Sequence, residues 1–159
     1  MHKYDSLAVT GMLEQFHCNY EILRTGISVN VSEKTVADAF SLDAGSVFKT
    51  LVLRGESRKL YAFLVPADKE PDMEKLKRAA REEELFPLDK NKHKWHTGYS
   101  PESVTPIAMK CACPTYIDKS ARDFEKICLS AGEAGTLVRI SLDHLLRVKY
   151  LRYADLIKS

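Results

Sequence analysis

Apolar residues recur along the chain at helical spacing in four places. They predict helices at residues 6–16, 32–40, from Pro71 onward, and 142–148. Ser32 is a good N-cap for the second helix. In the third, acidic residues come first and basic residues follow, the order that the helix macrodipole favours.

Short apolar runs between these segments predict strands. Residues 20–24 form one, and residues 47–53 and 60–65 flank a polar loop containing Gly55, as in an antiparallel hairpin. The last third has four further runs, at residues 107–109, 115–117, 127–129 and 137–140. Short strands mixed with helices predict a mixed α/β (α+β) domain built around one mixed sheet.

Composition narrows the class of protein. The chain has 159 residues, of which 45% are hydrophobic and 29% are charged. This excludes disordered and fibrous classes and predicts a single domain over residues 1–159. A net charge of +2 is too small for a protein that coats nucleic acid nonspecifically. The sequence shows neither a long apolar run nor a signal-peptide pattern at residues 1–6, so we expect a cytoplasmic protein without a membrane partner.

The cysteines are expected to be free thiols without a metal. There are four of them: Cys18, Cys111, Cys113 and Cys128. Cys111 and Cys113 together with His93 and His96 have the ligand types for zinc, but a single residue separates the two cysteines, whereas structural sites usually have two to four. A cysteine–histidine nucleophile pair is a weaker alternative because no local signature supports it. Glycine-rich phosphate loops, nucleophile elbows and zinc-protease motifs are absent from the sequence.

Lys49 does not fit its neighbourhood. It lies in an apolar strand, on the face shared with Val47 and Leu51. Burying an unpaired ammonium costs several kcal/mol at least. Lys49 must therefore form an ion pair, extend to solvent at a strand end, or line a pocket for an anionic ligand.

The densest basic run, residues 90–96, contains the single tryptophan of the chain. Lys92, Lys94 and Trp95 have the composition of a surface that contacts phosphates and stacks one base. The alternative is an ordinary solvated helix or loop face.

Several segments together resemble a known family. Residues 32–40, leading into Val47-Phe48-Lys49-Thr50-Leu51, resemble the helix-to-strand signature of the YbaK family of aminoacyl-tRNA deacylases, which includes the editing domain of bacterial prolyl-tRNA synthetases. Similar pieces follow in order at residues 97–99, 104–106, 114–118 and 129–132. The resemblance extends from about Ser6 to Leu156, and the aromatic-Lys-Thr-Leu run is its most specific part.

The resemblance implies a fold and an activity. The fold would be a compact mixed α/β domain around a strongly curved, mostly antiparallel sheet flanked by helices. The activity would be hydrolysis of a mischarged small amino acid, Cys or Ala, from tRNA, with tRNA(Pro) as the expected tRNA. It implies no metal or cofactor, and prolyl-tRNA synthetase as a further partner.

The resemblance also implies a site. Lys49 would be the catalytic cation, held beside the terminal phosphate and ribose of the tRNA. The small residues Ser130, Ala131 and Gly132 would let backbone groups approach the aminoacyl group. The remaining substrate-binding residues would be Gly98, Tyr99, Thr105 and Pro106. We expect these segments to converge with Lys49 in one cleft.

Two positions depart from the family pattern. Glu102, four residues before Pro106, stands where the family usually has glycine, and Leu137 stands where it often has aspartate. These departures keep an alternative open, in which the protein is a non-catalytic binding module for tRNA, a synthetase or a small ligand.

Overall fold

The computed structural model describes residues 8–25 and 33–159. The helices in these ranges are α1 (Ala8–Gln15), α2 (Glu33–Ala39), α3 (Met73–Ala80), α4 (Lys90–Thr97) and α5 (Leu142–Val148). The strands are β1 (Tyr20–Arg24), β2 (Phe48–Gly55), β3 (Leu60–Pro66), β4 (Leu85–Pro87), β5 (Thr115–Asp118), β6 (Lys126–Ser130), β7 (Thr136–Ser141) and β8 (Arg152–Ala154). Two short 3-10 helices cover Ala44–Ser46 and Lys119–Asp123.

The strands form two sheets, where the sequence pattern predicts one. The smaller sheet has the antiparallel order β1-β7-β6, and the larger has the order β4-β2-β3-β5-β8. In the larger sheet, β2 pairs antiparallel with β3 and β4, whereas β5 pairs parallel with β3 and β8. The mixed, mostly antiparallel α/β class is therefore confirmed, and the prediction of one sheet is wrong.

A parallel bridge between Val47 and Cys128 joins the two sheets. Val47 directly precedes β2, and Cys128 is in the middle of β6. The bridge is isolated, so the two strands meet locally and do not form a ladder.

In each sheet, a helix covers the face that points away from the other sheet. Leu76 of α3 packs with Phe63 and Tyr116 on one face of the larger sheet. The other face meets the smaller sheet in the main core, which α1 and α5 close with Leu13 and Leu145. A third cluster lies under α2, where Val36 and Ala37 pack against Val47, Cys128 and Leu137.

The predicted hairpin is confirmed as β2 and β3, with Leu51 opposite Phe63. The helix predicted from Pro71 is confirmed as α3, which is capped by Asp72; its carboxylate accepts hydrogen bonds from the N–H groups of Glu74 and Lys75. The predicted N-cap Ser32 and the start of the first predicted helix lie outside the described residues.

The strand predicted at residues 107–109 is wrong. Ile107 is fully buried, but it follows Pro106 in a turn, and Ala108 has a left-handed backbone with φ 57°. The apolar run there reflects a loop that inserts one side chain into the main core. In the described ranges, no helix has the length and apolar character needed to cross a membrane.

Candidate functional site

The segment 130–132 is hydrogen-bonded to the loop 98–106. The Ser130 hydroxyl donates to the Ser103 carbonyl at 2.6 Å and accepts from the Gly132 N–H at 3.1 Å. Ser130 is 4% exposed, so neither bond competes strongly with water. One side chain therefore connects two of the three segments that the resemblance assigned to the site.

Gly132 lies directly against the Tyr99 ring. Its φ is +88°, and a Cβ built there would lie 2.7 Å from Tyr99 Cε1. The ring cannot easily retreat, because the Tyr99 hydroxyl donates to the Ile107 carbonyl at 2.6 Å. Glycine is thus required at 132 by backbone conformation and by close approach together.

Burial raises the pKa of Tyr99 to about 12. The phenol therefore stays neutral at physiological pH, and its proton is used in the hydrogen bond to Ile107. We interpret Tyr99 as a wall of the site and not as an acid or base.

The end of α4 fixes the start of the loop 98–106. Gly98 ends the helix at φ 87°, and its N–H donates to the Lys94 carbonyl at 2.8 Å. The Tyr99 carbonyl accepts from the Thr97 hydroxyl at 3.0 Å and lies 3.1 Å from His93 Nδ1. Farther along the loop, Thr105 and Pro106 are buried.

Lys49 and Ser130 occupy equivalent places on the two bridged strands. Each lies two residues beyond the parallel bridge between Val47 and Cys128, in the same direction. Because side chains alternate along a strand, Ser130 lies on the same face as Cys128, which α2 covers. The antiparallel pairing of Ser130 with Leu137, itself a member of the α2 cluster, supports this assignment. Lys49 lies on the face shared by Val47, which packs under α2, and Leu51, which packs with the α3 residue Leu76.

Lys49 interacts electrostatically with Glu33, the first residue of α2. Burial raises the pKa of Glu33, and its own backbone N–H and the positive charge of Lys49 offset part of that increase. Lys49 is half-buried, and its ammonium forms no salt bridge with another residue of the described ranges. The ammonium is therefore within electrostatic range of one α2 carboxylate without being paired to it.

The turn after Gly132 is attached to β1. Arg24 forms a salt bridge with Glu133, and the Thr25 N–H donates to the Gly135 carbonyl at 3.0 Å. Glu133 also accepts from the Thr136 hydroxyl at 3.0 Å. This attachment links the turn that follows the small-residue segment to β1.

Sequence reasoning missed Glu33, Ser103 and the contact between Arg24 and Glu133. No local motif marks these residues, because each acts through a partner far away in sequence. Glu33 alone carried a usable signal, as it lies within the segment that resembles the family signature.

The three buried cysteines, Cys18, Cys113 and Cys128, are poor nucleophiles. Burial raises the pKa of Cys128 to about 11 and that of Cys113 to about 12, so both are protonated thiols near neutral pH. The Cys18 thiol donates to the carbonyl of His144, whereas the ring Nδ1 of His144 accepts from the Asn19 N–H. A cysteine–histidine catalytic pair does not fit these contacts.

All four cysteines are free thiols in the structure. Across residues 8–25 and 33–159, no group of three or more His, Cys, Asp and Glu side chains is arranged to hold a metal ion. His93, one of the ligands weighed for zinc, is buried, and its ring contacts the Tyr99 carbonyl instead.

The remaining predicted residues differ in exposure. Lys92, Lys94 and Trp95 are exposed on α4, and Trp95 is 67% exposed. Glu102 is exposed in the turn of the loop 98–106, and Leu137 is buried in β7. The structure thus brings Ser130 and Gly132 together with Tyr99, and it exposes the basic residues of α4, the helix that leads to Gly98 and Tyr99.

Comparison with known proteins adds sequence and fold relationships. A sequence model of the family described as "Aminoacyl-tRNA editing domain" matches residues 31–148. A relative from Enterococcus faecalis (strain ATCC 700802 / V583), named "Putative Cys-tRNA(Pro)/Cys-tRNA(Cys) deacylase EbsC", is 27% identical over 146 residues, which cover 91% of this chain and 89% of that protein.

Two solved structures share the fold. One is described as a "putative trans-editing enzyme for prolyl tRNA synthetase", with a TM-score of 0.82 and 24% identity over 96% of both chains. The other, of a hypothetical protein, has a TM-score of 0.84 and 18% identity, and the match covers 95% of this chain and 99% of that one.

Proposed function

The chain belongs to the aminoacyl-tRNA editing domain family, and on this premise we propose that it hydrolyses the ester that joins a wrong amino acid to tRNA. The observation that supports the proposal is the direct contact between two of the three segments that the family resemblance assigned to the site. The Ser130 hydroxyl bonds to the loop 98–106, and the bridge between Val47 and Cys128 places Lys49 and Ser130 at equivalent positions.

Ser130 positions the site and is not a nucleophile. Its proton is donated to the Ser103 carbonyl, and its oxygen accepts from the Gly132 N–H, so neither lone pair nor proton is prepared for attack on an ester. The attacking group is therefore a water molecule or the side chain of the amino acid being removed. Attack on the ester carbonyl breaks the bond to the ribose oxygen, which leaves with a proton as a hydroxyl.

Lys49 supplies the positive charge that binds the tRNA phosphate. An ammonium next to a tRNA phosphate stays protonated, which makes it a poor general base and a good electrostatic anchor. Glu33 of α2 is one anion that interacts with that ammonium, and the incoming phosphate adds a second. The small residues Ala131 and Gly132 allow backbone groups to approach the carbonyl whose charge develops in the reaction.

The substrate that we propose is tRNA(Pro) carrying Cys or Ala. The name of the Enterococcus faecalis relative includes Cys-tRNA(Pro), and the match covers 91% of this chain. We further propose that residues 1–159 act as one editing domain in the cytoplasm, where charged tRNA is found, with prolyl-tRNA synthetase as a transient partner.

Deacylation of Cys-tRNA(Pro) and Ala-tRNA(Pro) by the wild type, Lys49→Ala, Lys49→Arg and the control Lys158→Ala tests this proposal. Lys158 is a surface lysine paired with Glu70, and loss of such a pair costs little. Removing the anchor should cost about 1–3 kcal/mol, or about ten- to a hundredfold in kcat/KM, for Lys49→Ala. Lys49→Arg keeps the charge with a wider head and should lose less.

Thermal unfolding measured on the same samples separates chemistry from folding. We expect all four proteins to have the same melting temperature. Lys49 forms no salt bridge with another described residue whose loss would destabilise the fold. Full activity of Lys49→Ala on both substrates would place the site elsewhere. A wild type that releases neither amino acid would identify the protein as a non-catalytic binding module.

A further inference from the structure

A basic groove lies between the tip of the β2–β3 hairpin and α4. Its volume is about 650 Å³. Its lining is contributed by Arg54, Arg58, Leu60, Pro87, Leu88, Asp89, Lys92 and His96. The two elements that form its walls are distant in sequence, so the groove is a product of the fold and not of one charged run.

Positive charge dominates the groove. Arg54, Arg58 and Lys92 are exposed basic side chains. Asp89 supplies the single carboxylate of the lining, and this group is already engaged as the cap of α4, where it accepts from the Asn91 N–H at 3.0 Å. The groove is therefore a concentrated source of positive potential on a chain whose net charge is only +2.

Arg54 is held ready for a ligand. Its guanidinium lies over the Phe86 ring, 5.0 Å from the centroid. No described carboxylate forms a salt bridge with Arg54, Arg58 or Lys92. Stacking fixes the plane of the guanidinium and leaves its N–H groups available to bind phosphate oxygens.

The groove and the candidate active site are parts of one surface path. Lys49 and Arg54 both belong to β2 and lie about 17 Å apart along the strand, but their odd separation of five residues puts the two side chains on opposite faces, so the path from the groove follows α4 and not β2. From the groove, α4 runs to Gly98 and Tyr99, where the site begins. Exposed Trp95 lies next to His96 on this path, with Lys110 Nζ 5.7 Å from its ring centroid.

We propose that this groove binds the phosphate backbone of the tRNA acceptor stem while the 3′ end occupies the site at Lys49. The proposal rests on the proposed deacylase function and identifies which part of the substrate lies where. Three cations from two elements suit a row of phosphates better than one phosphate group, and α4 connects the groove to Gly98, where the loop of the candidate site begins.

The test compares two variants with the same change in charge. The groove variant carries Arg54→Gln, Arg58→Asn and Lys92→Gln. The control carries Arg78→Gln, Arg81→Asn and Lys158→Gln, which lie on or near α3 and at the chain end. Arg58 and Arg81 both have positive φ, 77° and 58°, so asparagine suits both positions equally.

Each protein is assayed on full-length aminoacyl-tRNA(Pro) and on an aminoacylated CCA trinucleotide, which lacks the stem. We expect the groove variant to lose at least tenfold in kcat/KM on full-length tRNA and to retain wild-type activity on the trinucleotide. The control should match the wild type on both substrates. Equal activity of the groove variant and control on full-length tRNA, or an equal loss on both substrates, would overturn the proposal.

The affinity for uncharged tRNA, measured at several salt concentrations, tests the groove independently of catalysis. Loss of each phosphate contact lowers the slope of log K against log salt concentration by about 0.7–0.9, so the groove variant should lose about 2 from the slope. If the wild-type protein binds tRNA with this salt dependence but releases no amino acid, the deacylase proposal fails, whereas the proposal that the groove binds tRNA is supported. An unchanged slope in the groove variant would refute the groove whether or not the wild type is an enzyme.

Discussion

Two glycines with nearly the same backbone conformation allow the packing of the site to be measured. Gly98 has φ +87° and Gly132 has φ +88°. A Cβ at Gly98 would have its nearest neighbour, Lys110 Cβ, at 3.6 Å, which is ordinary contact, whereas one at Gly132 would lie 2.7 Å from Tyr99 Cε1. Gly98→Ala therefore introduces backbone strain alone, and Gly132→Ala introduces the same strain together with a clash.

The magnitudes follow from these distances. Alanine in the left-handed region costs about 1–2 kcal/mol at either position. Restoring ordinary contact at Gly132 requires a ring displacement that the bond from the Tyr99 hydroxyl to the Ile107 carbonyl resists. Overpacking of this kind costs about 1–3 kcal/mol. We expect Gly132→Ala to be destabilised by about 2–5 kcal/mol, and by more than Gly98→Ala.

Denaturant unfolding gives the free energy of unfolding of each variant, and the double variant Gly132→Ala, Tyr99→Leu identifies the cause. Tyr99→Leu removes the ring atoms that the new methyl group meets, so the two substitutions together should cost less than the sum of their separate effects. Deacylation should fall in Gly132→Ala because the loop is displaced. Equal stability of the two alanine variants, or additivity in the double variant, would show that the ring does not constrain Gly132.

Three further substitutions test other features. Ser130→Ala should cost about 1–3 kcal/mol of unfolding free energy and lower kcat, because the buried Ser103 carbonyl loses its donor; unchanged denaturation and kinetics would contradict this. Burial raises the pKa of Cys128 from 9.0 to about 11, so the folded state retains the thiol proton and wild-type stability should fall by about 2–3 kcal/mol as the pH rises from 9 to 11. Cys128→Ala should lose less over that interval, as denaturation at each pH would show. Gly11→Ala should raise the melting temperature and stabilise α1 by about 0.5–1 kcal/mol, since no atom lies within 4 Å of the added Cβ; a lower melting temperature would refute this.

The sequence predicts the elements whose own residues determine them. The β2–β3 hairpin and α3 have matching periodicity, turn and cap signals within the element, and both are confirmed. By contrast, hydrophobic periodicity does not predict the helix α4, because it buries only His93 and Thr97 and therefore lacks a continuous apolar stripe. The three-residue strands β4 and β8 are too short for a periodic signal and are determined by their partners in the larger sheet.

The residues of the candidate site also differ in whether local sequence or a distant partner determines their part in it. Lys49 could be singled out from sequence because a lysine inside an apolar strand is locally unusual, and Gly132 through the resemblance to the family. Ser103 could not, since its part in the site is a backbone carbonyl that accepts from Ser130, 27 positions away. The sequence also could not predict that the strands divide into two sheets, because this depends on β2 and β6 meeting at a single bridge, Val47 with Cys128, and not along a continuous ladder.

The attachment of the site loop to β1 has a consequence for the order of events during synthesis. Thr25 and Gly135, which are hydrogen-bonded, are 110 positions apart, and the contact between Arg147 and the His17 carbonyl spans 130. Closing such long loops makes folding slow compared with helical bundles of similar size. A chain still emerging from the ribosome carries Lys49 before the segment with Ser130 has been made. The candidate site can therefore form only after residues 130–136 have been synthesised and paired with β1.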